Sequence, residues 1–252
     1  MKKTIALIMI VLMTVACLVG CAGAKKANAL VVATSPDFPP FENLENGAVV
    51  GIEPEIMQLI ADELGMELKI EQVDFESVLP GVLAGKYDVG MSGITITEER
   101  KKNTLFTDPY FNAAQVIVVT DGSAIACKAD LDGKSISVQT GTTAESFCMD
   151  EGYDVKPFAA NNDAELALVS GKVDAWVIDN AVAKQMVAAY NEANDAKLVI
   201  LDEHMTDEPY AFAFKLGNDE LCGKINDALK KLMADGTVAK LFEKYGETYV
   251  AP

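Results

Sequence analysis

Apolar positions along the chain switch between a two-residue and a helical period. Leu30-Val31-Val32-Ala33-Thr34 reads as a short apolar strand that ends in a polar, proline-rich loop, Ser35 to Phe41. Ile52, Ile56, Met57, Ile60, Ala61 and Leu64 then recur at helical spacing, with Pro54 near the start and Gly65 in the C-cap place. Leu68 to Val73 alternates as a half-buried strand does. Leu221, Ile225, Leu229 and Leu232 line one face of a helix that follows Asn218, and Thr237 opens a last helix that stops at Gly246. Strands and helices in alternation predict an α/β fold.

One pattern occurs twice. Gly85-Lys86-Tyr87-Asp88 leads into Val89-Gly90-Met91, and Gly171-Lys172-Val173-Asp174 leads into Ala175-Trp176-Val177-Ile178. Each time a helix ends in Gly-Lys, a strand follows, and the fifth residue after the Asp falls at the strand's C-terminal end. Those residues are Gly93 and Asp179. Open α/β sheets bind ligands outside the carboxyl ends of their strands, so the echo is either a pair of similar lobes facing a cleft or merely a common helix-to-strand turn.

The first residues carry a different signal. Lys2 and Lys3 precede an apolar run, Ile5 to Val19, that is short for a bilayer span. The run ends in Leu18-Val19-Gly20-Cys21, which resembles the lipobox of bacterial lipoproteins; a transmembrane anchor or an ordinary signal peptide are the other readings. The expectation is a signal peptide over 1–20, lipidation at Cys21 and a tether over 21–29. That places the protein outside the cytoplasm, on the membrane only through its lipid.

Composition removes several function classes. Against 38 Asp and Glu stand 21 Lys and Arg, a net charge of −17 that becomes −19 once Lys2 and Lys3 are cleaved away. Nucleic acid is an improbable partner for such a surface. Arg100 is the only arginine and His204 the only histidine, so a Ser-His-Asp triad or a His-based metal site would rest on one residue. No cofactor and no metal is expected. Cys127, Cys148 and Cys222 allow at most one internal disulfide and read as free thiols.

The candidate chemistry lies in three short stretches. From Ser92 to Arg100 a strand end passes through a small-residue loop into a polar helical turn. Gly93 permits close backbone approach, Thr95 adds a hydroxyl, and Arg100 offers a planar fork for a carboxylate or is a surface arginine paired with Glu98 or Glu99. Gly141-Thr142-Thr143 follows a strand, Ser135 to Val138, and opens a helix whose N–H groups can meet an anion. Asp179 either caps the next helix or holds an ammonium group. Of Phe38 and Phe41, one belongs to the core and the other faces a ligand. Arg100, Thr95, Thr142 and Thr143 would form an anion pocket with Asp179 opposite, matching the two charges of an α-amino acid.

Phe38-Pro39-Pro40-Phe41-Glu42, Val50-Gly51-Ile52-Glu53, Gly93 to Arg100, Phe106-Thr107-Asp108-Pro109-Tyr110, Gly141-Thr142-Thr143 and Gly171 to Asp174 carry a resemblance to the family 3 extracellular solute-binding proteins of polar amino acid ABC transporters. The resemblance runs from Val32 to the C-terminus. It implies a two-lobed periplasmic-binding-protein fold of type II, with lobe 1 over 30–114 and 212–252 and lobe 2 over 115–211. Two hinge crossings, near Ala113–Ile117 and Tyr210–Phe212, would let the lobes close on the ligand. It further implies that Arg100, Thr95 and the Thr143 region take the α-carboxylate, while Asp179 and the backbone around Gly93 take the α-ammonium; Ser92, at the same turn, is also a ligand-binding candidate. Phe38 and Phe75 would wall the side chain.

Ser35 stands where many relatives that bind glutamine or basic amino acids carry Asp, and Asp37 is expected to point elsewhere. With Ser35 and Gln139 as neutral hydrogen-bonding groups, a neutral ligand such as glutamine is expected over arginine or lysine, unless Glu53 reaches the pocket. The implied protein is a monomer that delivers its amino acid to a permease. A sensor or scaffold, or a dehydratase acting on prephenate-like substrates, are the other classes; the dehydratase would need a further titratable group in the cleft.

Overall fold

The computed structural model describes residues 28–195 and 197–252. The expected signal segment, Cys21 and most of the tether lie outside them. The first half runs β1 (Ala29–Thr34), β2 (Asp37–Phe38), β3 (Glu42–Glu45), β4 (Ala48–Val50), α1 (Ile52–Leu64), β5 (Glu67–Gln72), α2 (Phe75–Leu83), β6 (Val89–Gly90), α3 (Glu98–Lys101) and β7 (Thr104–Phe106). After β8 (Phe111–Ala113), a second unit follows: β9 (Gln115–Thr120), β10 (Ser135–Gln139), α4 (Thr143–Asp150), β11 (Asp154–Phe158), α5 (Asn161–Val169), β12 (Ala175–Asp179), α6 (Asn180–Ala193) and β13 (Leu198–Ile200). The chain then returns through β14 (Glu208–Tyr210) to β15 (Ala213–Lys215), α7 (Asp219–Ala234) and α8 (Thr237–Lys244).

These strands make two five-stranded sheets, in the orders β5-β1-β6-β15-β7 and β11-β10-β12-β9-β13. The two orders are built alike. In each, the first strand of a βαβ unit pairs in parallel with two neighbours, β1 with β5 and β6, β10 with β11 and β12. Next to these lies one antiparallel strand delivered by a crossing from the other lobe, β15 beside β6 and β9 beside β12. The crossings themselves run as an antiparallel pair, with Glu208 opposite Ala113 and Tyr210 opposite Phe111. Two adjacent extended strands bend more easily than a packed sheet, which makes this pair the hinge between the lobes.

Helix α1 forms where the periodicity predicts it. Ile52, Ile56, Met57, Ile60 and Ala61 are fully buried, and Gly65 ends the helix in the left-handed conformation with φ 65°. The first lobe's core includes Leu30, Val32, Val89, Phe212 and Phe214; Ile136, Val138, Ala175 and Val177 sit in the second. Cys127, Cys148 and Cys222 are free thiols, and Cys148 is buried. Among the described residues no helix is long and apolar enough to cross a membrane.

Candidate ligand-binding site

The carboxyl ends of β1, β6, β10 and β12 converge on one pocket between the lobes. All eleven residues singled out from the sequence line it: Ser35, Phe38, Phe75, Ser92, Gly93, Thr95, Arg100, Gln139, Thr142, Thr143 and Asp179. Asp37, Ala144, Asn161, Val177 and Ile178 complete the wall. Among the described residues no cluster of three metal-ligating side chains occurs.

Arg100 forms the positive pole. Thr97 caps α3 by accepting the Arg100 N–H at 3.1 Å, which aims the side chain back under the turn. Its guanidinium donates to the Thr95 carbonyl at 2.9 Å and, across the cleft, to the Gly141 carbonyl at 3.3 Å. Its carbon lies 5.9 Å from the centre of the Phe75 ring, so Phe75 backs the guanidinium as well as the pocket. Burial lowers the Arg100 pKa, and the charges of Glu208 and Asp179 oppose that shift. The guanidinium therefore stays charged.

The Thr142 and Thr143 hydroxyls are already engaged. Thr142 Oγ1 accepts the Glu145 N–H at 3.2 Å and donates to the Gln139 carbonyl at 2.7 Å. Thr143 Oγ1 donates to Glu208 at 2.9 Å and accepts from Gln115 Nε2 at 3.0 Å. The start of α4, Thr142 to Ala144, lines the pocket, and the first N–H groups of a helix have no partner inside it. Backbone donors of this kind beside a guanidinium suit an anion.

Asp179 forms the negative pole. It occupies the cap position of α6 but makes no capping hydrogen bond, and its Oδ1 is buried without a partner. Burial and the charge of Glu208 raise its pKa to about 7, against the opposing pull of the Tyr210 hydroxyl and Arg100. A buried carboxylate with a free acceptor is suited to an ammonium group, which would supply both charge and hydrogen bonds.

Gly93 lies between the poles with φ 52°, and a Cβ there would stand 2.6 Å from the Phe38 ring. Only glycine lets Phe38 pack against this turn. Phe41 is the core residue of the pair, fully buried among Phe111, Tyr210 and Phe242, and Phe38 lines the pocket. Behind the turn, the Gly93 N–H donates to Glu53 at 3.0 Å, Tyr110 also donates to Glu53, and the Ser92 hydroxyl donates to Glu42 at 3.1 Å. Glu42 and Glu53 are neighbours with no exposed surface. Burial drives both pKa values up; Glu42 goes well above the ordinary range because the Glu53 charge adds to the burial. Glu53 thus holds the turn from behind and is not part of the pocket wall.

Two sequence expectations need correction. Asp37 points into the pocket wall, where it accepts from Ser35 Oγ at 3.0 Å, Gln139 Nε2 at 3.2 Å and the Asn161 N–H at 2.7 Å. The cleft therefore does hold a further titratable group, and the case for a neutral ligand loses its premise. Gln139 is also less free than expected, since its amide donates to Asp37 and the Ala159 carbonyl and accepts from Asn161 Nδ2. Sequence reasoning missed Glu208 and Asn161 altogether. No periodicity marks either; Glu208 matters because the hinge pair places it beside Thr143, 65 residues away in sequence.

Residues 30–248 match the model of the bacterial extracellular solute-binding proteins, family 3. The chain is 30% identical over 230 residues to the putative ABC transporter arginine-binding protein 2 of Escherichia coli K12, covering 88% of this chain and 92% of that one. A mutant of the Thermotoga maritima (T. maritima) protein ArgBP superposes with a TM-score of 0.83 at 40% identity, over 88% of this chain and 96% of the other. An ancestral arginine-binding protein bound to arginine gives 0.81 at 42%, over 86% and 98%. The chain belongs to the bacterial extracellular solute-binding proteins, family 3.

Proposed function

We propose that this protein captures a polar amino acid by closing its lobes and delivers it to the permease of an ABC transporter, with an arginine-like cation as the preferred ligand. The amino acid's carboxylate lies on Arg100 and the first-turn N–H groups of α4, and its ammonium on Asp179 and the Gly93 turn. The lobes are residues 30–114 with 212–252, and 115–211. Cleavage before Cys21 and lipidation of its thiol hold the protein on the outer face of the membrane.

One observation carries the preference for a cation: Asp37 lines the pocket. Once Arg100 and Asp179 are matched by the two main-chain charges, Asp37 remains as a second carboxylate without a charged partner. A cationic side chain neutralises it; a neutral one leaves a desolvated charge in the wall. The names of the arginine-binding relatives support the same choice. A neutral amide such as glutamine is the competing ligand, because Asp37 already accepts from three hydrogen-bond donors.

A thermal-shift panel of the twenty amino acids tests the reading. A ligand at 100 times its Kd stabilises the protein by about 2.7 kcal/mol, and arginine is expected to give the largest shift. No shift with any amino acid would remove the capture reading.

A further inference from the structure

We propose that Asp37 is a closure latch, a positioning residue of the first lobe that completes the N-terminus of helix α5 in the second. Helix α5 begins at Asn161, and the residue in its cap position, Ala160, has no side chain that can accept a hydrogen bond. The first N–H of a helix needs an acceptor from elsewhere. Here it comes from the opposite lobe: the Asn161 N–H donates to Asp37 Oδ2 at 2.7 Å across 124 residues of sequence.

The second lobe is shaped to receive this carboxylate. Gln139 Oε1 accepts from Asn161 Nδ2 at 3.0 Å, and Gln139 Nε2 donates to the Ala159 carbonyl at 3.1 Å. Those two bonds fix the Gln139 amide with its NH₂ toward the cleft, where it meets Asp37 Oδ2 at 3.2 Å. Two donors of the second lobe thus converge on one carboxylate of the first. On the first-lobe side, Ser35 Oγ donates to Asp37 Oδ1 at 3.0 Å and holds the side chain in place.

The bonds join groups that separate when the hinge opens, so their strength acts on the closed state alone. Charge-assisted hydrogen bonds to a helix N-terminus are among the stronger ones available to a carboxylate. A latch of this kind slows ligand release and leaves encounter with the open cleft unchanged. The latch does not rest on the identity of the ligand's side chain, since it acts on arginine and on a neutral amino acid alike.

Asn161 provides a clean test. It is the first helical residue, where proline is tolerated and removes only the N–H donor. Asn161→Pro and Asn161→Ala both lose the side chain, but only Asn161→Pro loses the latch bond, and both keep Asp37. In stopped-flow experiments with arginine and with glutamine, Asn161→Pro should release each ligand about tenfold faster than Asn161→Ala, the loss of one charge-assisted bond. The association rates should agree within about twofold for the same pairs. Amide exchange in the protein saturated with glutamine gives a second reading, in the closed state where the latch acts. The Asn161 N–H should exchange faster in Asp37→Ala than in wild type, while the Ala164 N–H, bonded to Ala160 within the helix, should not change. Equal release from the two Asn161 variants would overturn the latch, as would Asn161 exchange that ignores Asp37. A Pro-specific effect on arginine alone would also overturn it, leaving Asp37 as a counter-charge only.

Discussion

Asp88 and Asp174 hold the same post in the two lobes. Asp88 Oδ2 accepts the Val31 N–H at 2.9 Å while its own N–H donates to the Val31 carbonyl at 2.8 Å. Asp174 Oδ2 accepts the Ser135 N–H at 2.8 Å, and its N–H donates to the Ser135 carbonyl at 2.8 Å. Each aspartate pins the entry of its strand to the first strand of its βαβ unit, β1 or β10. The residues at the strands' far ends, Gly93 and Asp179, then arrive at the same pocket from opposite sides. The repeated turn is thus a positioning device for both poles of the site.

Arg100→Ala should abolish binding and leave the fold intact, because the side chain packs on the pocket and not in a core. Removing one partner of a desolvated charge pair costs on the order of 2–5 kcal/mol, or roughly 30-fold to several thousandfold in Kd. Arg100→Lys should bind poorly too, since a point charge cannot replace the fork that spans the Thr95 and Gly141 carbonyls. Calorimetry beside a circular dichroism melt separates lost binding from lost structure; wild-type affinity in Arg100→Ala would remove it from the carboxylate site.

Binding should weaken as pH falls through about 7. Asp179 titrates there in the empty cleft, and an ammonium ligand binds its ionised form. Below that pH the ligand must displace a proton, so affinity drops by up to about tenfold per unit. The same raised pKa gives the opposite trend in the unliganded protein. Its contribution to stability is fully present below the unfolded aspartate pKa of about 4 and is lost as pH rises through about 7. Asp179→Asn should therefore melt higher than wild type at pH 8 while binding no ligand. Kd measured from pH 5 to 8 with no slope would contradict the assignment of Asp179 as the ammonium partner.

Glu42 and Glu53 should share one proton at neutral pH. Each has an oxygen with no other partner, the two groups are fully buried neighbours, and burial with the Glu53 charge drives the Glu42 pKa well up. Glu42→Gln keeps a neutral hydrogen-bonding group and should bind within about threefold of wild type, under 1 kcal/mol. Glu53→Gln removes the negative charge behind Gly93 and should bind more weakly. Difference infrared spectra should show a protonated-carboxyl band at pH 8 in wild type that Glu42→Gln lacks. Its absence from wild type would show two ionised groups instead.

The fold was readable because its signals are local. Apolar spacing placed α1, Gly65 closed it, and the Gly-Lys turns marked both sheets. The two charged poles were readable for a related reason: a lone arginine after a glycine turn and an aspartate at a strand end are visible in a few residues. Asp37, Asn161 and Glu208 were not, because their roles depend on partners 124 and 65 residues away that meet only when the two lobes pack. Even the direction in which Asp37 points is set by a helix of the other lobe. The direction of Asp37, on which the expectation of a neutral ligand rested, was therefore the part read least well from sequence.

In the proposed binding mode, both main-chain charges of an amino acid and a positive side chain are read together in this cleft. Calorimetric titration with arginine, glutamine and agmatine, which is arginine without its carboxylate, tests it in one series. Arginine should bind at least about tenfold tighter than glutamine, a difference of 1.4 kcal/mol, and agmatine should not bind measurably. Glutamine binding as tightly as arginine, or agmatine binding as tightly as arginine, would contradict the account.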